Sequence, residues 1–166
     1  NESIICRDEV CYLRVGRTYT NPIISDKSVP DPSVIRANDG YFYLYATQTK
    51  TYWMPVYRSK DLVNWEYQGT AFNKATEPDL PGGGAFWAPE IRFLNGKYVL
   101  YYSWAKMNGA DISYTAVAVG DTPMGPFLDS KELIGNKEFG SNCIDQFYYE
   151  EDGKKYMFFG SFKGIY

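Results

Sequence analysis

The chain alternates between short hydrophobic runs and clusters of turn-forming residues, with little helical periodicity. The runs are rich in aromatic and β-branched residues, which favour strands. Clear examples are Tyr41–Ala46, Tyr98–Ser103, Tyr114–Val119 and Tyr156–Gly160. Asn-Gly and Asp-Gly pairs separate several of these runs, and such pairs favour tight hairpin turns because they tolerate positive φ angles. The pattern therefore predicts an all-β protein built from hairpins.

Three segments repeat one arrangement: a strand, a glycine-containing turn and an aromatic strand that ends in a small residue. They are Asp31–Thr47, Ala88–Ser103 and Asp145–Ser161, and their first residues are 57 positions apart each time. A β-repeat of this length is typical of a propeller blade, and unrelated hairpins in a β-sandwich are the alternative. Three blade starts are too few to close a ring of about four to eight blades. These residues are therefore expected to belong to a larger unit, whose remaining blades come from the same protein or from another chain.

Composition and charge indicate which kinds of molecule this chain could bind. The 166 residues carry a net charge of −3 and contain no His, so nucleic acid is a poor partner because phosphate binding needs a concentrated positive face. No apolar run approaches the ~18 residues that span a bilayer. Aromatic residues make up 18% of the chain, which favours stacking on sugar rings. The cysteines (Cys6, Cys11 and Cys143) lack metal-ligand spacing, and the separation of Cys6 from Cys11 leaves their pairing open.

Two carboxylates hold equivalent places in the repeats. Asp31 and Asp145 each lie at the start of a predicted innermost strand. Inner strands of a propeller converge on its axis, so the two side chains are expected to meet there. Neighbouring carboxylates can split their pKa values, which suits acid–base chemistry on a glycosidic bond. The alternative is that each Asp caps a turn or pairs with an Arg.

Three nearby side chains have competing interpretations. Trp87 is either a flat surface for a sugar ring or a core residue at a blade junction, and Trp53 is the candidate for a contact at the rim. Glu90 is expected to be salt-bridged or to support the site rather than to catalyse.

Four ordered motifs resemble glycoside hydrolase family 43 over about residues 21–166. They are NPIISDKSVPDPSVIRANDGYFYLYAT, SKDLVNWEYQG, FWAPEIRFLNGKYVLYYS and CIDQFYYEEDGKKYMFFGSFKG. The resemblance implies a five-bladed β-propeller, for which repeats of this size would need about 285 residues. Residues 1–166 are then one partial catalytic domain, in which residues 21–166 form blades one to three, the third incomplete. Residues 1–20 lie outside the resemblance and are expected to supply a ring-closing strand.

The resemblance also implies an inverting glycosidase that acts on arabinose- or xylose-containing plant polysaccharide. An arabinanase or arabinofuranosidase is the first expectation and a β-xylosidase the next. Asp31 matches the family's general base, and Asp145 matches the carboxylate that orients the general acid and raises its pKa. The general acid is a Glu of a later blade with no counterpart here, so the fragment alone is expected to be inactive. The alternative is a non-catalytic glycan-binding propeller or an inactive fragment.

Substrate contacts are expected from Trp87, Phe86, Ile144, Trp53 and Ser161. No metal or other cofactor is required by the residues present, although the resemblance implies an axial calcium ion in the complete propeller. The family usually has Asp where Glu90 stands and often Pro where Gln146 stands. The expected location is secreted or periplasmic.

Overall fold

The computed structural model describes residues 2–7, 10–15, 19–25, 27–81, 84–106, 113–139, 143–161 and 164–166. These residues form strands β1 to β12 and one short helix, α1, which confirms the all-β prediction. Within this part of the chain, no helix is long and apolar enough to cross a membrane.

The first blade is a four-stranded antiparallel sheet whose strands follow one another in sequence order. Its strands are β3 (Ser33–Arg36), β4 (Phe42–Tyr45), β5 (Pro55–Ser59) and β6 (Trp65–Thr70). Strand β4 falls inside the predicted run Tyr41–Ala46. The preceding turn is tied by Asp39, whose carboxylate accepts hydrogen bonds from the Tyr41 N–H and the Tyr43 hydroxyl. The order β3-β4-β5-β6 is that of a propeller blade.

The second blade repeats this order with longer inner strands. Its strands are β7 (Ala85–Leu94), β8 (Lys97–Ala105), β9 (Ser113–Gly120) and β10 (Leu128–Gly135). Asn95 and Gly96 join β7 to β8 with φ angles of 51° and 78°, as the predicted tight turn requires. The pairing of β7 with β8 slips between Trp87 and Glu90, where two residues of β7 face one residue of β8. This β-bulge lies at the start of the second repeat.

The third sheet contains two strands, β11 (Phe147–Glu151) and β12 (Lys154–Phe158), preceded by the helical turn α1 (Asn136–Phe139). Near the N-terminus, β1 (Glu2–Arg7) and β2 (Val10–Val15) form a hairpin in which Cys6 lies directly opposite Cys11. The side chains of these two cysteines lie outside the described part of the structure. The ring-closing role of residues 1–20 stays a prediction.

Aromatic side chains join the first blade to the second. Phe72 follows β6 and stacks on Phe86 of β7, with ring centroids 4.3 Å apart and planes inclined by 11°. Tyr102 of β8 meets the edge of Phe72 at 5.2 Å, and Phe127 packs against it at 6.2 Å. All four side chains are buried. The main core therefore lies between blades one and two.

The second blade is covered on both of its faces. Tyr102 points toward the first blade, whereas its neighbour Tyr101 stacks on Tyr148 of β11, with ring centroids 6.0 Å apart. Adjacent strand residues point to opposite sides of a sheet, so the second sheet lies between the first and the third. A β-sandwich has only two layers, and the three successive layers therefore favour the propeller.

Candidate active site

The three repeats begin with the same unusual backbone conformation. Asp31, Ala88 and Asp145 have φ angles of 51°, 40° and 57°, in the left-handed region that residues with a Cβ atom rarely adopt. Such strain persists only where surrounding contacts hold it, and it is concentrated at functional sites. The equivalent start of each blade is therefore a candidate position for function.

Asp31 is exposed, and a hydroxyl group of its own blade holds its carboxylate. Thr47, which follows β4, donates a hydrogen bond from Oγ1 to Asp31 Oδ2 at 2.6 Å. The Thr47 N–H donates to the carbonyl of Pro30 at 3.0 Å, which places the end of one strand beside the start of the other. The carboxylate is thus fixed at one oxygen.

The carboxylate of Asp145 is also held by a hydroxyl group, and its pKa depends in part on the charge of Asp31. The Ser161 side chain hydrogen bonds to the Asp145 carboxylate. The pKa of Asp145 is raised, chiefly because its surroundings exclude part of the water and further because the negative charge of Asp31 opposes ionisation, while the Ser161 bond acts in the opposite direction. The negative charge of Asp31 is the smallest of these three effects, and the meeting of the two side chains on one axis stays a prediction from the equal spacing of the repeats.

The hydroxyl partners of both carboxylates follow a rule that is visible in the sequence. Thr47 lies 16 positions after Asp31, and Ser161 lies 16 positions after Asp145. Both end the second strand segment of their repeat. The sequence predicts a small residue at this position, but a hydrogen bond from its hydroxyl group to the Asp was not among the predictions. Alignment of the repeats was the signal that could have found these partners.

Side chains of three blades meet around the strained Ala88. Its N–H donates to Thr47 Oγ1 at 2.8 Å, and its carbonyl accepts from Gln146 Nε2 at 2.5 Å. The Oε1 atom of Gln146 accepts a hydrogen bond from Ser103 Oγ at 3.1 Å, and the same Ser103 oxygen accepts the N–H of Asp145 at 2.9 Å. These hydrogen bonds, together with the backbone of Ala88, connect the Asp31 carboxylate to the N–H of Asp145. We name Thr47, Ala88, Gln146 and Ser103 the hub network.

Glu90 connects the blades just outside the hub network. It is 8% exposed, accepts a hydrogen bond from Ser33 Oγ at 3.2 Å and forms an ion pair with Arg92 at 2.5 Å. Arg92 in turn donates to the carbonyl of Tyr148 in the third sheet. Burial raises the pKa of Glu90 more than Arg92 and Ser33 lower it. The expected salt bridge is confirmed, and its contacts join all three sheets.

The predicted substrate contacts divide into accessible and buried side chains. Trp87 is half-buried at the β-bulge beside Ala88, and Trp53 is half-buried with its ring 6.2 Å from that of Phe86. Ser161 is exposed and hydrogen bonded to Asp145. Phe86 and Ile144 expose only 2% and 3% of their surfaces. The expected sugar contact of these two residues is therefore corrected, because they pack in the interior.

The described residues do not by themselves fit a metal ion. No group of three or more His, Cys, Asp or Glu side chains lies close enough to hold one within this part of the chain, and the sequence contains no His. The axial calcium ion stays a prediction for the complete propeller, and no step below depends on it.

The raised pKa of Asp145 predicts how its replacement affects stability. Because the folded protein disfavours the ionised carboxyl, Asp145 contributes favourably below its unfolded pKa of about 4, and this contribution is lost as the pH rises through the folded pKa. Asp145→Asn in the complete protein is therefore expected to raise Tm slightly at pH 7 and to lose that advantage below about pH 4. Thermal denaturation from pH 3 to pH 8 measures this. An advantage that grows as the pH falls would contradict it.

Successive antiparallel sheets whose first strands begin with the same strained backbone define the class of protein as a β-propeller. The family model described as glycosyl hydrolases family 43 matches residues 19–165. The chain belongs to this family.

Similar proteins carry several substrate names. A β-xylosidase of Bacillus subtilis (strain 168) is 29% identical over 147 residues, which cover 83% of this chain and 26% of that protein. An extracellular endo-α-(1→5)-L-arabinanase of the same organism is 27% identical over 144 residues, or 83% of this chain and 45% of that protein. An α-L-arabinanase of Cellvibrio cellulosa, solved with arabinohexaose, superimposes with a TM-score of 0.65 at 31% identity, covering 85% of this chain and 47% of that one.

The share of each relative that this chain covers agrees with a structure that contains only some of the blades of a propeller. The chain spans about a quarter to a half of the length of the relatives that it matches. The fold is accordingly part of a five-bladed β-propeller, and the prediction of a partial propeller is confirmed.

Proposed function

We propose that this chain forms the first part of an inverting glycosidase in which Asp31 is the general base. An inverting enzyme needs one carboxylate that deprotonates water and one carboxylic acid that protonates the leaving oxygen on the opposite side of the sugar. Asp31 is exposed and is oriented by Thr47, which leaves its other oxygen available to a water molecule. The single observation that carries the proposal is the set of hydrogen bonds that ties Asp31 and Asp145 to the hub network.

Asp145 has a different role in this proposal. An ionised carboxylate beside the general acid opposes the ionisation of that acid and so raises its pKa, and it can orient the acid by accepting a hydrogen bond from its carboxyl proton. The general acid is a Glu supplied from outside these 166 residues. The chain alone is therefore expected to be inactive, because a base without an acid cannot efficiently expel an alkoxide.

Further blades are the expected partners of the third sheet. One side of β11 and β12 presents Phe147, Tyr149, Tyr156 and Phe158, each between 41% and 49% exposed. Phe147 lies opposite Phe158 and Tyr149 opposite Tyr156. An exposed aromatic surface of this kind normally packs against another element. Its position, on the side away from the second blade, supports its being covered by the remainder of a propeller.

An arabinose-containing polysaccharide is the first substrate that we propose, with xylan next. The support is the names of the relatives, which include an arabinanase, a β-xylosidase and a non-reducing-end α-L-arabinofuranosidase. Trp87 is half-buried at the β-bulge beside Ala88, and a tryptophan ring is a side chain that can stack on a sugar. A secreted location is supported by the extracellular arabinanase among the relatives.

An activity panel on the complete protein tests these proposals. Arabinan, xylan and aryl glycosides of arabinofuranose and xylose are offered, and the first product is examined by proton NMR before it mutarotates. We expect hydrolysis of at least one substrate with inversion at the anomeric carbon. Retention would exclude Asp31 as a base acting on water. Binding to these glycans without turnover would support the alternative of a non-catalytic glycan-binding propeller.

A further inference from the structure

We propose that Gln146 is a positioning residue that fixes Asp31 and Asp145 relative to each other. This inference rests on the proposed function. Gln146 follows Asp145 directly, and its side chain extends to the second blade within the hub network. Its amide group bonds to the Ala88 carbonyl with one atom and to Ser103 with the other. The residue is 5% exposed, so neither bond is readily replaced by water.

The chemistry of the partners fixes the orientation of the Gln146 amide. The carbonyl of Ala88 can only accept a hydrogen bond, so the NH₂ group of Gln146 must face it. The Oε1 atom is then left to accept the Ser103 hydroxyl. Because the Ser103 proton is used in this way, its oxygen is free to accept the N–H of Asp145. One amide therefore sets the direction of both neighbouring bonds.

Ala88 is the point at which Gln146 acts on Asp31. Ala88 has a φ angle of 40° and precedes Pro89, and a left-handed conformation is doubly disfavoured for an alanine in that position. It also lies in the β-bulge, so β8 does not satisfy its polar atoms by regular pairing. Gln146 binds its carbonyl and Thr47 binds its N–H. Loss of the first bond would allow Ala88 to relax and withdraw its N–H from Thr47.

The Thr47 hydroxyl transmits this effect to the carboxylate. While its oxygen accepts the Ala88 N–H, its proton is directed to Asp31 Oδ2. If the N–H moves away, the hydroxyl can rotate and donate elsewhere. The orientation of the proposed base thus depends on a residue of the third repeat that does not touch it.

The kinetic test uses the complete protein and the variants Gln146→Met, Thr47→Val and their combination. Methionine keeps the length of the side chain and removes both hydrogen bonds. We expect each single variant to lower kcat by about tenfold, because each disturbs the one hydrogen bond that orients Asp31, while KM changes much less. Because the two residues act through one chain of bonds, the double variant is expected to lose no more than the worse single variant.

Ser59→Ala is the matched control. Ser59 is also buried, at 3% exposure, and hydrogen bonds to Asp61 and Leu62 at the outer turn of the first blade. Its replacement removes buried hydrogen bonds at the end of the first sheet that is distant from the hub. We therefore expect Ser59→Ala to leave kcat unchanged. Equal kcat for Gln146→Met and wild type, or losses that multiply in the double variant, would overturn the proposal.

Amide hydrogen exchange separates this inference from the proposed function. In Gln146→Met the N–H of Ala88 is expected to exchange at least about tenfold faster than in wild type, whereas Ser59→Ala leaves it unchanged. This readout needs no substrate. If no glycoside is hydrolysed, the proposed function fails and the exchange rate still decides the role of Gln146. An unchanged Ala88 rate would overturn that role even in an active enzyme.

Discussion

Asp31→Asn in the complete protein is expected to lower kcat by about 10²- to 10⁴-fold, the usual contribution of a general base. Asparagine has nearly the same shape, and its carbonyl oxygen can still accept the Thr47 hydroxyl that holds Asp31 at 2.6 Å. It cannot take a proton from water. The fold is therefore expected to survive while turnover is lost, as measured by initial rates on the best substrate of the panel and by Tm.

The same chemical change at Asp39 is the control for this prediction. Asp39 accepts hydrogen bonds from the Tyr41 N–H and the Tyr43 hydroxyl at the turn before β4. Asp39→Asn is expected to change stability slightly and kcat not at all. Asp31→Asn with more than about a tenth of the wild-type kcat would remove Asp31 from the role of general base.

Phe72→Ala is expected to destabilise the complete protein by about 3–5 kcal/mol, the range for removing a fully buried phenylalanine. Phe72 is 0% exposed and, from the end of the first blade, contacts rings of the second blade, including Phe86 at 4.3 Å. The cavity would open where the two sheets meet, and neither sheet can move to fill it without losing its other contacts. Chemical denaturation monitored by tryptophan fluorescence measures the loss.

Phe93→Ala is the comparison for the core prediction. Phe93 lies on β7, is 39% exposed and contacts Tyr98 at 4.9 Å. Less apolar area is removed from water there, so a loss of about 1 kcal/mol or less is expected. Equal losses for the two variants would show that the core does not lie between the first and second blades.

The strands and the spacing of the blades could be predicted because their signals are local or repeated. Asn95-Gly96 and Asp152-Gly153 adopt the positive φ angles that tight turns need, and these dipeptides are visible in any sequence. The equal stride of the repeats predicts equivalent positions for Asp31 and Asp145, and both have the positive φ angle of a repeat start. Equal positions in successive blades meet at one axis, so sequence distance could be translated into spatial proximity.

The directions of the side chains next to the predicted site residues were harder to predict. Phe86 and Ile144 each precede a predicted site residue, Trp87 and Asp145. Phe86 and Trp87 are adjacent in strand β7 and point to opposite sides of the sheet, so strand alternation could have indicated that Phe86 is buried. The left-handed φ angle of 57° at Asp145 interrupts this alternation, so the rule could not have indicated that Ile144 is buried.

The hub network could not be predicted because no single blade contains it. Thr47 belongs to the first blade, Ala88 and Ser103 to the second, and Gln146 to the third. Their hydrogen bonds depend on the packing of successive sheets and on a β-bulge in β7. A position that looked like a departure from the family pattern is, in the structure, the link between two aspartates.

The pKa of Asp145, measured by carbon-13 NMR of the complete protein with and without Asp31→Asn, tests most directly whether the two aspartates form one site. We predict a pKa above the usual aspartate value that falls when the negative charge at position 31 is removed. Asp39→Asn should leave it unchanged. An Asp145 pKa that is the same with and without the charge of Asp31 would contradict a shared hub.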